Sequence, residues 1–454
     1  MGVTFVEKGE GHVERGGPRA IVLAGGAISG GAFKLGGLIA LNTFLRDHGV
    51  TDFDIYVGIS AGSFLAAPMA AGIEPEELLL SIEGRSERIA PFTALHFYRP
   101  NWREFLGRPA KLARDAAGFA PALAAAVGRQ LRDHRALLVD RARAFLRDPE
   151  LETATRLIEP IAIDLAHHSD LRGGWSYLPS GVFDNRAIER FIRDNFRRNG
   201  VPNHFKLLEL EYGKRLYIGA THLDTASPVV FGPDEDSSVT ISEAVQASTA
   251  IPGFYRPARI GGEDYVDAGV RKTANISQAV KAGAQLIIAY NPFRPYVNYH
   301  ADQLLHGQRS MSDMGIVAVV NQAFRTLLHT RLMLGIEKLR LDESFRGDVI
   351  LLEPSETDAK FFHINPLAFW RRAEAAAHGF MSVKDAIERH HVRLVRVLSR
   401  HGIRTDRDAL RARAEQMIGR ETDPSALLDI LGERRAPDPG RARRPALRLV
   451  GAGG

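Results

Sequence analysis

Two apolar runs near the start of the chain, Ala20-Ile21-Val22-Leu23-Ala24 and Phe53-Asp54-Ile55-Tyr56-Val57, have the length and aliphatic content of short buried strands. Each ends in a glycine-rich turn. The first turn, Gly25-Gly26-Ala27-Ile28-Ser29-Gly30-Gly31, opens into helical spacing from near Gly31 through Phe33, Leu35, Leu38, Ile39 and Leu41. The second, Gly58-Ile59-Ser60-Ala61-Gly62, opens into a small-residue helix from Ala61 to about Ala70. Strand, turn and helix twice in succession predict an α/β fold with a mostly parallel sheet and helices outside. Ligands bind such sheets at the carboxyl ends of the strands. Both glycine turns fall there.

The pattern changes from about Glu74 to Gly174, where Pro91, Pro100 and Pro109 break it. Lys111 to Arg147 reads as helical, in two pieces split near Pro121, with Arg114, Arg129, Arg132, Arg135, Arg141 and Arg143 interleaved with leucines and phenylalanines. A basic amphipathic helix of this kind is either an ordinary cap packed by its apolar face or a contact for an anionic membrane, and one region can do both. Further on, the pattern predicts a helix over 186–196, strands over 205–210, 215–221 and 228–232, and a helix over 241–250. Asp267 falls on a loop leaving a short strand, Tyr265-Val266. A helix over 277–281, a strand over 285–290, a helix over 314–341, a strand over 349–354 and a helix over 381–398 complete the series. The predicted layout is a flexible arm at 1–18, a main domain at 19–345 with a helical insertion at about 75–175, a late strand and helical extension at 346–430, and a basic, disordered tail at 431–454.

Composition narrows the possibilities only slightly. The 454 residues include no cysteine, which excludes a disulfide framework and a thiolate metal site. A net charge of +5 is mild for this length and does not by itself imply nucleic acid. No recognised nucleic-acid module is present. The polar run Glu7-Lys8-Gly9-Glu10-Gly11-His12 is unlike a signal peptide, and no apolar run has the length of a membrane span. There is no His/Cys ligand spacing and no calcium loop, so neither metal nor cofactor is expected.

Ser60 sits at the centre of Gly-x-Ser-x-Gly, the spacing of a nucleophile elbow, with Gly58 and Gly62 relieving crowding on a sharp strand-to-helix turn. A serine hydroxyl needs a base. His363, His378, His390, His391 and His401 come late enough to serve in a serine–acid–histidine order, but none lies in a glycine-framed loop at a strand end. The alternative base is a carboxylate. Asp267, framed by Ala268 and Gly269, suits that role, and equally suits an ordinary turn that bonds its own backbone. The amides around Gly26, Ala27 and Ile28, ahead of a helix, can stabilise an oxyanion. A phosphate or nucleotide loop is the competing reading, yet the stretch lacks both Gly-Lys-Ser/Thr and Gly-x-Gly-x-x-Gly.

Taken together, these motifs resemble the patatin-like phospholipase family in its bacterial-type, serine–aspartate dyad form. The resemblance rests on the glycine loop, the elbow, Asp267-Ala268-Gly269, Ala247-Ser248-Thr249-Ala250-Ile251-Pro252, Gly181-Val182-Phe183-Asp184 and Ala220-Thr221-His222-Leu223-Asp224-Thr225, and covers most of residues 19–292. It implies Ser60 as nucleophile, Asp267 as its partner, and Gly25, Gly26, Ala27, Ile28 and Gly30 as the oxyanion loop. It also implies hydrolysis of a lipid acyl ester: phospholipid, lysophospholipid or acylglycerol. Thioesterase or acyltransferase chemistry would use the same residues, and a noncatalytic lipid-binding protein would keep the fold. Three positions depart from the family pattern. Ala27 replaces the third glycine, Ser29 stands where a basic residue is expected, and Ala268 follows the aspartate. Lys34, on the helix, is a candidate to replace the missing charge. The expected location is cytoplasmic, with peripheral attachment to an anionic inner membrane surface through 111–147. The oligomeric state is left open.

Overall fold

The computed structural model describes residues 2–11, 16–108, 128, 132–133, 135–147, 179–299, 310–420 and 423–433. It divides into two compact units, Met1–Arg99 with Asp184–Gly454, and Pro100–Phe183. The strands are β1 (Gly2–Glu7), β2 (Arg19–Leu23), β3 (Ile55–Ile59), β4 (Gly181–Phe183), β5 (Arg215–His222), β6 (Pro228–Phe231), β7 (Gly253–Tyr255), β8 (Ala258–Ile260), β9 (Glu263–Asp267), β10 (Leu286–Tyr290) and β11 (Asp348–Glu353). The helices are α1 (Ala27–Phe44), α2 (Ala61–Ala70), α3 (Pro75–Ile82), α4 (Ala94–Phe97), α5 (Arg135–Arg147), α6 (Arg186–Arg198), α7 (Phe205–Tyr212), α8 (Ile241–Thr249), α9 (Ile276–Lys281), α10 (Ile316–Leu341), α11 (Ala359–Phe362), α12 (Arg372–Arg400), α13 (Arg407–Met417) and α14 (Pro424–Gly432).

The larger unit is built on a sheet ordered β1-β11-β10-β2-β3-β5-β9-β8, with β6 also paired to β5. Its centre, β11-β10-β2-β3-β5, is parallel, and its outer pairings are antiparallel. The α/β fold with helices flanking the sheet is the predicted one. Strands β3, β10 and β11 are buried along their whole length, and β2 and β5 are buried except at their ends, as the apolar runs require of a sheet covered on both faces. One face packs Val22, Val57, Ile287 and Leu351 against Ile276, Leu332 and Ile336 of α9 and α10.

Three expectations need correction. Residues 2–7 are not a flexible arm: they form β1, antiparallel to β11 from Gly2↔Glu353 to Glu7↔Asp348. Its Phe5 and Val6 are buried, and Glu7 pairs with Arg393 and Arg400. Residues 205–210 are helical, because Phe205 and Leu208 bury one face at a spacing of three while Leu207 and Leu210 stay exposed; Gly213, at φ 65°, ends the helix. Helices α3 and α4, placed by pattern in the insertion, belong to the larger unit, and the smaller one runs from Pro100 to Phe183.

In the smaller unit, Pro100 bridges Phe183, and the Asn101 amide donates to the Val182 carbonyl at 3.0 Å. The basic stretch Lys111–Arg147 is described only at 128, 132–133 and 135–147, of which the last is α5. Residues 109–127, 148–178 and the tail from 434 lie outside the described residues. Among the described residues, no helix is long and apolar enough to cross a membrane.

Candidate active site

Ser60 lies between β3 and α2 with φ 54° and ψ −129°. A non-glycine residue in such a conformation costs about 1–3 kcal/mol and persists only where its surroundings enforce it. Here they do. A Cβ at Gly58 would stand 2.4 Å from Ser63 Cα, and one at Gly62 would stand 2.1 Å from the Leu23 carbonyl oxygen, so both elbow glycines permit close backbone approach. The Ser60 amide donates to Ser248 Oγ at 2.8 Å, while its carbonyl accepts from the Ser63 amide and hydroxyl.

Asp267 ends β9, opposite Ala220 of β5, and Ile59 of β3 pairs with Gly219 of β5. Strand β5 thus lies between the nucleophile's strand and the aspartate's. The Asp267 amide donates to the Ala250 carbonyl at 2.9 Å, and its Oδ1 accepts from the Gly269 amide at 2.7 Å. Ser60 and Asp267 line the same cavity, and the Ser60 hydroxyl lies close enough to the carboxylate to favour its ionised form. Both residues are buried, Ser60 at 4% and Asp267 at 6% exposure. Burial pushes the carboxyl up to about 6; the Ser60 hydroxyl, the Gly269 amide and the Lys34 charge oppose that rise. The carboxyl therefore stays ionised near neutrality yet binds a proton within reach of that pH, as a base for serine requires.

The glycine loop lies at the start of α1, with Ala27 at φ 50°. One of its expected donors is already engaged. The Ile28 amide donates to the Pro366 carbonyl at 2.9 Å, and so does the Ser29 amide at 3.0 Å; the Gly30 amide donates to Gly26. Among the described residues, the Gly25, Gly26 and Ala27 amides have no acceptor. The donors open to an incoming oxygen are therefore at 25–27 rather than 26–28. Lys34 reaches back from α1: its fully buried ammonium donates to the Ala24 carbonyl and, at 3.1 Å, to the Gly25 carbonyl. Burial pulls its pKa down to about 7, and Asp267 pulls it back up. A basic side chain in place of the one missing at Ser29 is thus present beneath the same loop.

The late histidines lie elsewhere. His378 pairs with Asp358 at 2.8 Å, His401 with Asp348 at 2.9 Å, and His363 Nδ1 meets the Ala359 carbonyl. His390 and His391 lie against Phe5 and Phe44. None lines the space at Ser60. Three other groups shape the site without having been assigned a role from sequence. Ser248 and Ala250 brace the nucleophile and the aspartate from one segment, which explains why Ala247–Pro252 belongs to the motif set. Pro366 carries no local signal at all.

Two largely apolar cavities meet at Ser60. One is lined by Leu35, Phe64, Leu65, Phe92 and Phe97; the other by Pro252, Val270, Phe293, Phe324 and Leu328. Among the described residues, no group of three or more His, Asp or Glu side chains could hold a metal ion.

An elbow serine beside a buried aspartate, under free amides at the carboxyl end of a parallel sheet, defines the class of serine-nucleophile α/β proteins. Within that class the chain belongs to the patatin-like phospholipase family, whose model matches residues 21–280, more than half of the chain. A stretch of 110 residues is 26% identical to the uncharacterized protein YjjU of Escherichia coli K12, covering 24% of this chain and 30% of that protein. The match thus spans under a third of that relative's length. Among solved structures, the chain is similar to VipD from Legionella pneumophila, with TM-score 0.34 and 17% identity over 82% of this chain and 67% of the other. It is also similar to a chain of the complex of SpcU with ExoU from the type III secretion system of Pseudomonas aeruginosa, with TM-score 0.25 and 15% identity over 92% of this chain and 71% of that one.

Proposed function

We propose that this chain is a serine acyl hydrolase that cleaves carboxylic ester bonds of lipids through an acyl-serine intermediate. The observation that carries the reading is the strained, buried Ser60 set beside the buried Asp267 carboxylate, where two apolar cavities meet. Asp267 accepts the hydroxyl proton as Ser60 Oγ attacks the ester carbon. The free amides at Gly26 and Ala27, at the positive end of α1, face the oxygen on which charge develops. Asp267 then gives its proton to the departing alkoxide. A water molecule, deprotonated by the same carboxylate, cleaves the acyl-serine and regenerates the hydroxyl.

The test is fatty-acid release from phospholipid, lysophospholipid, acylglycerol and p-nitrophenyl esters by wild type, Ser60→Ala and Asp267→Asn, with fluorophosphonate labelling of Ser60. Turnover by wild type that drops at least 1,000-fold in both folded variants is the expected result, roughly 4 kcal/mol of transition-state stabilisation. Undiminished activity in a folded variant would remove that residue from the mechanism. A wild type that is inactive and unlabelled would favour a lipid-binding protein without turnover.

A further inference from the structure

The two cavities at Ser60 divide the substrate between them. Ala27, Ser60, Ile251 and Leu367 line both, so Ser60 stands at their junction. Beyond it, the first continues along Leu35, Phe64, Leu65, Phe92, Phe97 and Phe369, and the second along Pro252, Val270, Phe293, Phe324 and Leu328. Their empty volumes, mouths included, are about 700 Å³ and about 750 Å³. Asp267 borders the second and not the first.

That asymmetry assigns the ends of the ester. The proton that Asp267 takes from Ser60 must return to the oxygen of the leaving alcohol, so the leaving group belongs on the Asp267 side. The acyl chain then occupies the first cavity. Among the described residues, the other polar side chains of the second cavity are few and in part engaged: Thr273 Oγ1 donates to the Leu328 carbonyl at 2.7 Å, and Asn321 Oδ1 accepts from Arg325. The one guanidinium in the first, Arg372, is paired with Glu83 at 2.9 Å. A leaving group that fills the second cavity must therefore bring hydrocarbon of its own, since apolar burial is what this space offers.

We infer that the substrate is a lipid ester with two hydrocarbon chains, the cleaved chain lying in the Phe64–Phe92 cavity and the chain retained by the leaving alcohol in the Phe293–Phe324 cavity. This rests on the hydrolase reading above. The experiment compares kcat/KM for a diacylglycerol and a diacyl phospholipid with a monoacylglycerol and a lysophospholipid of the same acyl chain, each at equal mole fraction in detergent micelles. Two variants accompany wild type. Phe324→Asp places a charge at the mouth of the second cavity, where Phe324 is 47% exposed, so folding is not at risk. Ile82→Trp narrows the first cavity at a half-buried position. Wild type should favour the two-chain esters by at least tenfold. Phe324→Asp should pull that ratio toward one, and Ile82→Trp should lower both classes alike. Equal or better turnover of the single-chain esters, or a ratio that Phe324→Asp leaves intact, would overturn the inference while leaving the hydrolase reading in place. Absence of turnover on all four, with no fluorophosphonate labelling, would overturn both.

Discussion

Lys34 is buried completely, and the charge it carries acts directly on Asp267. Its removal has a signed consequence. The ammonium favours the ionised carboxylate, so kcat/KM of the wild type should rise with pH through about 6 as Asp267 loses its proton. In Lys34→Met the carboxylate loses that support. Its pKa rises further, and the acidic limb of the pH profile moves to higher pH. The Ala24 and Gly25 carbonyls lose their shared donor at the same time, so the maximal rate should fall by about tenfold or more, the cost of roughly 1.4 kcal/mol of lost loop alignment. A pH–rate profile of the folded variant checks both points; an unmoved limb would show that Lys34 does not act on the base. At this scale the elbow was legible because its chemistry is local: two glycines, a serine and a strand before them. Asp267 was only half legible. Its setting reads equally as a turn, and its link to Ser60 runs across β5, a relation that no local pattern displays. Ile28 was misassigned as a free donor because the acceptor of its amide, Pro366, lies far along the chain.

Among the elements, α1 and α12 are joined by backbone contact. A Cβ at Gly36 would lie 1.8 Å from the Ala376 carbonyl oxygen, and one at Gly379 would lie 1.9 Å from that of Phe33. Neither oxygen can move without shifting a helix. Gly379→Ala should therefore separate the pair and destabilise the protein by about 1–3 kcal/mol, read as a lower denaturant midpoint at unchanged slope. Activity at temperatures where the variant is still folded should fall as well. Helix α1 begins at Ala27, and the segment just before α12 supplies Pro366, so the two helices set the spacing of the glycine loop and its backbone clamp. Periodicity predicted both helices but not that they touch. It also placed the start of the first near Gly31 rather than Ala27, since the opening turn holds small residues and no apolar repeat.

The molecule as a whole is organised by sheet order, and there the sequence was most and least informative at once. The strands at the centre were predicted from apolar runs alone. Their order was not, because β10, late in the chain, takes the place beside β2, and β11 the place beyond it. The first strand was read as an arm because Gly2-Val3-Thr4-Phe5-Val6-Glu7 is short and followed by a polar, glycine-containing stretch. Its burial becomes evident only once β11 lies beside it. That pairing matters for more than the count of strands. β1 is the outermost member of its side of the sheet and covers the hydrogen-bonding margin of Val349, Ile350, Leu351 and Leu352. Deletion of residues 2–8 would bare a margin of six residues, most of them aliphatic. An uncovered aliphatic margin of this kind is a template for another chain. The shortened protein should therefore self-associate with rising concentration, seen as added mass in light scattering, where the full chain keeps its size. What looks from the sequence like a dispensable leader is the protein's own stopper against aggregation.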